Sequence, residues 1–162
     1  PMISYATSHL TGPEAEQRKL VVEAIERGSP LTPEELLKAD SGLTSEDVEH
    51  YKHLLLEKRA ELLGDVASLK ADLEHDGDLS NLPMHMADVG SDHYQQEFTL
   101  GLMESDRRTL REIEEALMRL KAGYYGVCID TGLPIGKARL DIKPWARYCI
   151  DIIRERERRG LA

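Results

Sequence analysis

The chain has few aromatic side chains, only 5% of 162 residues, with one Trp and one Phe. A thick globular core draws on aromatics, so their scarcity beside a charged fraction of 31% favours long solvated helices. Cysteine is nearly absent too. Cys128 and Cys149 are too few for a disulfide framework, which predicts a reducing, cytoplasmic setting. No run approaches the roughly 18 consecutive apolar residues that cross a bilayer. Residues 1–12 lack the charged start and apolar run of a signal peptide. Positive charge is also short. The 21 Lys and Arg stand against 30 Asp and Glu, a formal net charge of −9. A DNA binder needs a basic surface to displace counterions, so direct DNA binding is not expected, whereas docking on a basic protein groove or channel is open to an acidic chain. A phosphate loop, a Ser-His-Asp order and a paired metal motif are all missing, which argues against a stand-alone enzyme. Of the six histidines, His50 and His53 lie three apart in a helical segment and His85 in a loop, and they read as surface residues.

What is present is helical patterning. Pro13 suits the first turn of a helix through Leu20, Val21, Val22 and Ile25 that stops at Gly28. Thr32-Pro33-Glu34-Glu35 reads as a cap, a first-turn proline and acids at the positive helix end, so a short helix runs through Leu36 and Leu37 until Gly42. Residues 1–42 thus form a helical preface, expected to pack on the base of a longer helical pair. Thr44 or Ser45 caps the first helix of that pair. From there Val48, Leu55, Leu62 and Leu69 recur every seven residues, joined by Val66 and Leu73. Leu56 and Leu63 widen the stripe. Residues 76–91, with Gly77, Pro83 and Gly90 among Asp, Ser and Asn, carry loop chemistry. A second helix is expected from Ser91 or Asp92, where Asp92 and Gln95 resemble a capping box. Its seam is Met103, Leu110 and Leu117 with Ile113 and Leu120, up to Gly123. Two helices of roughly 30 residues make rods of about 45 Å, antiparallel because the link is short. The expected fold is mainly α: a coiled-coil hairpin over 43–123 with its tip at 76–91, then a small module and a C-terminal helix over 124–162.

After Gly123 turn residues crowd together, and the frame becomes Cys128-x2-Thr131-x17-Cys149-x2-Ile152. A zinc ribbon places Cys at all four positions, but here Thr131 and Ile152 occupy the second and fourth. Thr is a poor zinc ligand at neutral pH, Ile cannot coordinate, and no histidine lies beyond His93. The frame therefore predicts a ribbon-like module holding no metal. In it Ile152 packs where the ion would sit, and Cys128 and Cys149 are buried thiols. Since the two knuckles of a ribbon face each other, the alternative of a redox pair stays open. Pro144-Trp145 opens a final helix, roughly 145–159, whose RERERRG end reads as a solvated face of ion pairs.

The ordered segments LLLEKRAELLGDV (54–66), ADVGSD (87–92), QEFTLGLMESD (96–106), YYGVC (124–128) and LPIGKARLDIKPWARYCI (133–150) together resemble the DksA/TraR family of bacterial transcription regulators, over about residues 45–158. The resemblance implies a protein that binds RNA polymerase without DNA contacts. Its hairpin would enter the secondary channel, its acidic tip would approach the active centre and its finger would hold the channel rim. Initiation at sensitive promoters, such as those for ribosomal RNA, would be modulated as in the stringent response. The tip residues implied are Asp88 and Asp92, in place of the family's D-x2-D-x-A arrangement. Lys137, Arg139, Lys143 and Arg147 are implied as contacts to polymerase or to a nucleotide. The co-effector of several members is ppGpp, but the facing stretch REIEEAL (111–117) offers Glu112, Glu114 and Glu115 where phosphates want cations. The expectation is therefore no bound cofactor, with ppGpp as the candidate co-effector. A monomer is expected. Two other readings remain: a transcript-cleavage factor resembling the Gre proteins, which lack a cysteine ribbon, and a scaffold that self-associates through Leu56, Leu63 and Leu100 if these stand uncovered.

Overall fold

A computed structural model describes residues 12–79 and 86–161, and their side chains except those of 75–79 and 86–92. Among the described residues there are six helices and no strand: α1 (Gly12–Arg27), α2 (Pro33–Lys38), α3 (Ser45–Leu79), α4 (Met86–Ala122), α5 (Lys137–Ile142) and α6 (Ile150–Arg158). The mainly α architecture, with a long helical hairpin, is the one the heptads predict.

Local chemistry sets the helix starts. Thr32 and Glu35 form a reciprocal capping box at α2, behind Pro33. Thr44 does the same at α3: its Oγ1 accepts from the Asp47 N–H at 3.1 Å, and Asp47 Oδ2 accepts from the Thr44 N–H at 3.0 Å. Gly28 ends α1 with φ +69°, a left-handed conformation that costs glycine little.

α3 and α4 pack along each other. Leu55, Leu62, Met103, Leu110, Ile113 and Ala116 are buried in and around the seam. The ion pair Arg59–Glu114, 3.8 Å, crosses between the rods. At 1.5 Å per residue, the 35-residue α3 carries its far end about 50 Å from its start. Two boundaries differ from the sequence expectation. Residues 76–79 and 86–91, expected as loop, are helical, so the second helix begins at Met86 and not at Ser91 or Asp92. Gly77 and Gly90 cost each helix about 1 kcal/mol, too little to break helices this long, and Met86-Ala87 is good helix-forming sequence. The last helix begins at Ile150, not at Trp145. Cys149 is its cap in an extended conformation, φ −68° and ψ 158°, and the carbonyls of Trp145 and Ala146 face Arg119 instead of a helix ladder.

The finger packs at the open end of the hairpin, and one cluster runs through both, including Tyr51, Leu55, Ile113, Tyr125, Cys128, Leu140 and Ile152. α1 lies along α6 and contributes Val21 and Ala24 to that cluster. The link after α1 is fixed to the finger by the Leu31 N–H on the Ile129 carbonyl, 2.8 Å, and by Arg27 on the Asp130 carbonyl. Leu56, Leu63 and Leu100 are exposed.

Candidate functional site

The finger is built from turns. Gly126 (φ +83°) and Gly132 (φ +76°) take left-handed conformations, and at Gly126 a Cβ would lie 2.6 Å from Leu43 Cδ1. Val127, next to the first, pairs with Pro134, beyond the second, in an isolated antiparallel bridge. The Cys128 N–H donates to the Leu133 carbonyl at 2.8 Å, and the Gly132 N–H to the Cys128 carbonyl at 2.9 Å, closing the first knuckle. Thr131 Oγ1 accepts from the Leu133 N–H at 3.1 Å. The second knuckle is the N-terminus of α6, with Cys149 at the cap and Ile152 inside the first turn. The four frame positions are all buried. Thr131 Oγ1 lies 3.7 Å from Cys149 Sγ.

Cys128 and Cys149 are free thiols within hydrogen-bonding reach of each other. The neighbouring Cys149 thiol, helped by Thr131 and by the Cys149 and Asp130 N–H groups, draws Cys128 down against the opposing effect of burial. Cys149 shifts the opposite way, pushed up first by the neighbouring Cys128 and then by burial. The arrangement buries both sulfurs side by side, with the Thr131 hydroxyl against one of them.

Most of the basic candidates are engaged inside the fold. Lys137 pairs with Asp47 at 3.0 Å. Arg139 donates to the Tyr148 carbonyl at 3.0 Å. Arg147 pairs with Glu112 at 3.6 Å and with Glu115 at 3.0 Å, and its guanidinium lies over the Tyr148 ring. The glutamates of 111–117 that disfavour a phosphate thus serve partly to hold the finger on α4. Sequence reading misses three further residues here. Tyr51 donates to Asp141, Arg119 enters the core and donates to the Trp145 and Ala146 carbonyls, and Asp130 pairs with Arg156. A signal exists for two of them: Tyr51 stands four before Leu55, and Arg119 beside Leu120, both bordering the apolar stripes.

The tip is less fully placed. Asp88 falls in the first turn of α4, where a negative charge suits the helix dipole. Asp92 lies inside α4, so it does not cap that helix, contrary to the expectation from Asp92 and Gln95. The side chains of Asp88 and Asp92, like those of Asp76, Asp78 and His85, lie outside the described residues.

Three comparisons bear on this geometry. Residues 123–151 match the family described as the prokaryotic dksA/traR C4-type zinc finger. The chain is 37% identical over 110 residues to general stress protein 16O of Bacillus subtilis, covering 67% of this chain and 68% of that protein. It is 31% identical over 121 residues to the RNA polymerase-binding transcription factor DksA of Caulobacter vibrioides, covering 72% and 80%. Its fold matches the structure of transcription factor DksA2 from Pseudomonas aeruginosa with a TM-score of 0.65 and 34% identity, over 80% of this chain and 98% of that one.

The zinc-finger match corrects one expectation. Thr131 and Ile152 argue for a module without a metal, but residues 123–151 belong to a zinc-finger module by their match, and that points to zinc. The residues here that would hold the ion are Cys128 and Cys149, with the Thr131 hydroxyl beside them; Ile152 offers no donor. Only half of a C4 thiolate set is thus supplied by the four frame positions. A ligand count by itself leaves out the rest of the sequence pattern over residues 123–151, which the match includes.

Proposed function

Since the chain belongs to the DksA/TraR family, we propose that it binds RNA polymerase and regulates initiation by inserting the α3–α4 hairpin into the secondary channel. Its role is regulatory and not catalytic, in the cytoplasm. The observation that supports this most is the uninterrupted reach of α3 and α4. With the finger clamped at one end, the far end of α3 lies about 50 Å away along the rod. A rod of that length delivers acids to a buried centre that a globular surface cannot reach. The net charge of −9 favours approach to a basic channel and gives an association rate that falls with salt. Asp88, in the first turn of α4, is the residue assigned to the effect at the centre, and the finger is assigned to the rim.

The test separates binding from effect. Asp88→Asn should leave affinity for core polymerase nearly unchanged while weakening the effect on transcription from a sensitive promoter. Full regulatory activity in that variant would remove Asp88 from the assignment. Failure of the unaltered chain to bind core polymerase would remove the role itself. Self-association is the second reading, and the exposure of Leu56, Leu63 and Leu100 favours it; sedimentation of the free chain decides between monomer and dimer.

A further inference from the structure

Helix α5 presents two apolar residues in opposite ways. Leu140 is fully buried, whereas Ile142 is 85% exposed, the most exposed of the large apolar side chains among the described residues. A lone exposed isoleucine needs no explanation. This one lines a groove of about 300 Å³ between α3 and the finger, together with Leu54, Pro144 and Trp145. Trp145 is the chain's one tryptophan, and its ring is only half-buried.

The charge around the groove is lopsided. Glu57, Glu61 and Asp141 line it against a single Lys58. Lys58 is occupied by Glu61 at 3.2 Å. Two acids therefore remain unmatched by a cation in the lining. A phosphorylated ligand would be repelled there. A second copy of this chain, with its net charge of −9, is also a poor electrostatic match. What suits the groove is an apolar side chain projecting from a basic protein surface. The volume is at the lower end for ligand cavities and fits one such anchor. Tryptophan is among the residues enriched in interface hot spots, and here it borders the pocket.

We propose that the groove formed by Leu54, Ile142, Pro144 and Trp145 is the anchor by which the chain docks on RNA polymerase, accepting one apolar side chain that is flanked by Lys or Arg. This rests on the reading that the chain binds polymerase, and adds to it the surface and the chemistry of the contact. The anchor lies where the finger meets the hairpin. Its position sets how far the rod can advance, and so couples docking to the depth of the tip.

The experiment titrates fluorescently labelled full chain with core polymerase and follows anisotropy, alongside the melting temperature of each variant. Ile142→Arg removes the apolar contact and adds a like charge towards a basic partner. Its side chain is solvated and a cation suits the C-terminal end of α5, so the fold is expected to be unchanged. Affinity should fall at least about tenfold, with the melting temperature held. Ile142→Val should bind as the unaltered chain does. Glu57→Lys should weaken binding and flatten its dependence on salt. Equal affinity of Ile142→Arg and the unaltered chain overturns the groove and leaves the polymerase reading standing. An unaltered chain that fails to bind overturns both. A free chain that dimerises, and becomes monomeric in Ile142→Arg, assigns the groove to a second copy and overturns the proposal.

Discussion

The hydroxyl of Tyr51 donates to Asp141 Oδ1 at 2.7 Å, joining the first turns of α3 to a helix 90 residues later in the chain. Beside it, Asp47 pairs with Lys137. These contacts hold α5 against the base of the rod, so the angle at which the finger meets the hairpin is fixed by side chains and not by the connection between them. Tyr51 is otherwise enclosed, with its ring near Tyr125 at 6.0 Å between centroids.

This bond has a signature at alkaline pH. Burial, and then the carboxylate of Asp141, push the Tyr51 hydroxyl up to about 12. The folded state therefore holds this proton more tightly than the unfolded state, in which tyrosine titrates near about 10. Tyr51's contribution is complete below pH 10 and is lost as pH rises through 12. Denaturant midpoints measured between pH 8 and pH 12 should fall above pH 10, and less steeply in Tyr51→Phe. Some slope should persist in that variant because burial also raises Tyr125. At pH 8 the same substitution should cost about 1–2 kcal/mol, since it leaves Asp141 with one donor fewer. A flat profile in the unaltered chain would contradict the enclosed phenol.

Arg119 gives a second expectation. It is 6% exposed, donates to the Trp145 and Ala146 carbonyls at 3.3 and 3.4 Å, and its Nε is buried without a partner. Burial, with the neighbouring Arg147 charge, lowers its pKa. A buried guanidinium with no carboxylate on it is held largely by packing. Arg119→Met should change stability by no more than about 1 kcal/mol, and Arg119→Ala should cost about 2–4 kcal/mol by opening a cavity. Equal losses in calorimetry of the two variants would assign the role to the hydrogen bonds instead.

The knuckles supply a third. If Thr131 and Ile152 occupy the second and fourth ligand positions of the C4 frame, Thr131→Cys with Ile152→Cys completes a tetrahedral thiolate set without moving the backbone. The double variant should hold zinc on the order of a hundredfold or more tightly than the unaltered chain in competition with a chromophoric chelator. Stripped of metal it should be less stable by about 1–2 kcal/mol, because Ile152 is fully buried. No gain in zinc affinity would mean that the frame does not converge as the knuckle geometry has it.

Much of this architecture is legible in the chain. Leu55, Leu62, Met103 and Leu110 announce a paired seam because heptad spacing returns an apolar residue to one face of a helix. Thr32 and Thr44 announce helix starts because a hydroxyl before acids meets unpaired N–H groups. The tip misleads for a related reason: Gly77 and Gly90 are breakers on a local scale, yet their cost is small beside the length of α3 and α4. Helix α5 leaves no such mark in the sequence. Its six residues are too few to show a period, and the burial of Leu140 against the finger holds it in place.

The sequence by itself determined the two long helices, their antiparallel pairing and the spacing of the knuckles, since these arise from short-range periodicity and from the reach of the chain. Only the tertiary structure decided which polar groups became interior fixtures and which apolar ones stayed outside. Arg119 is enclosed while Ile142 is exposed, against their hydropathy, because α4 and the finger close over one and leave the other at the edge of a groove. Burial depends on what arrives from elsewhere in the chain, and periodicity along a single helix carries no record of that.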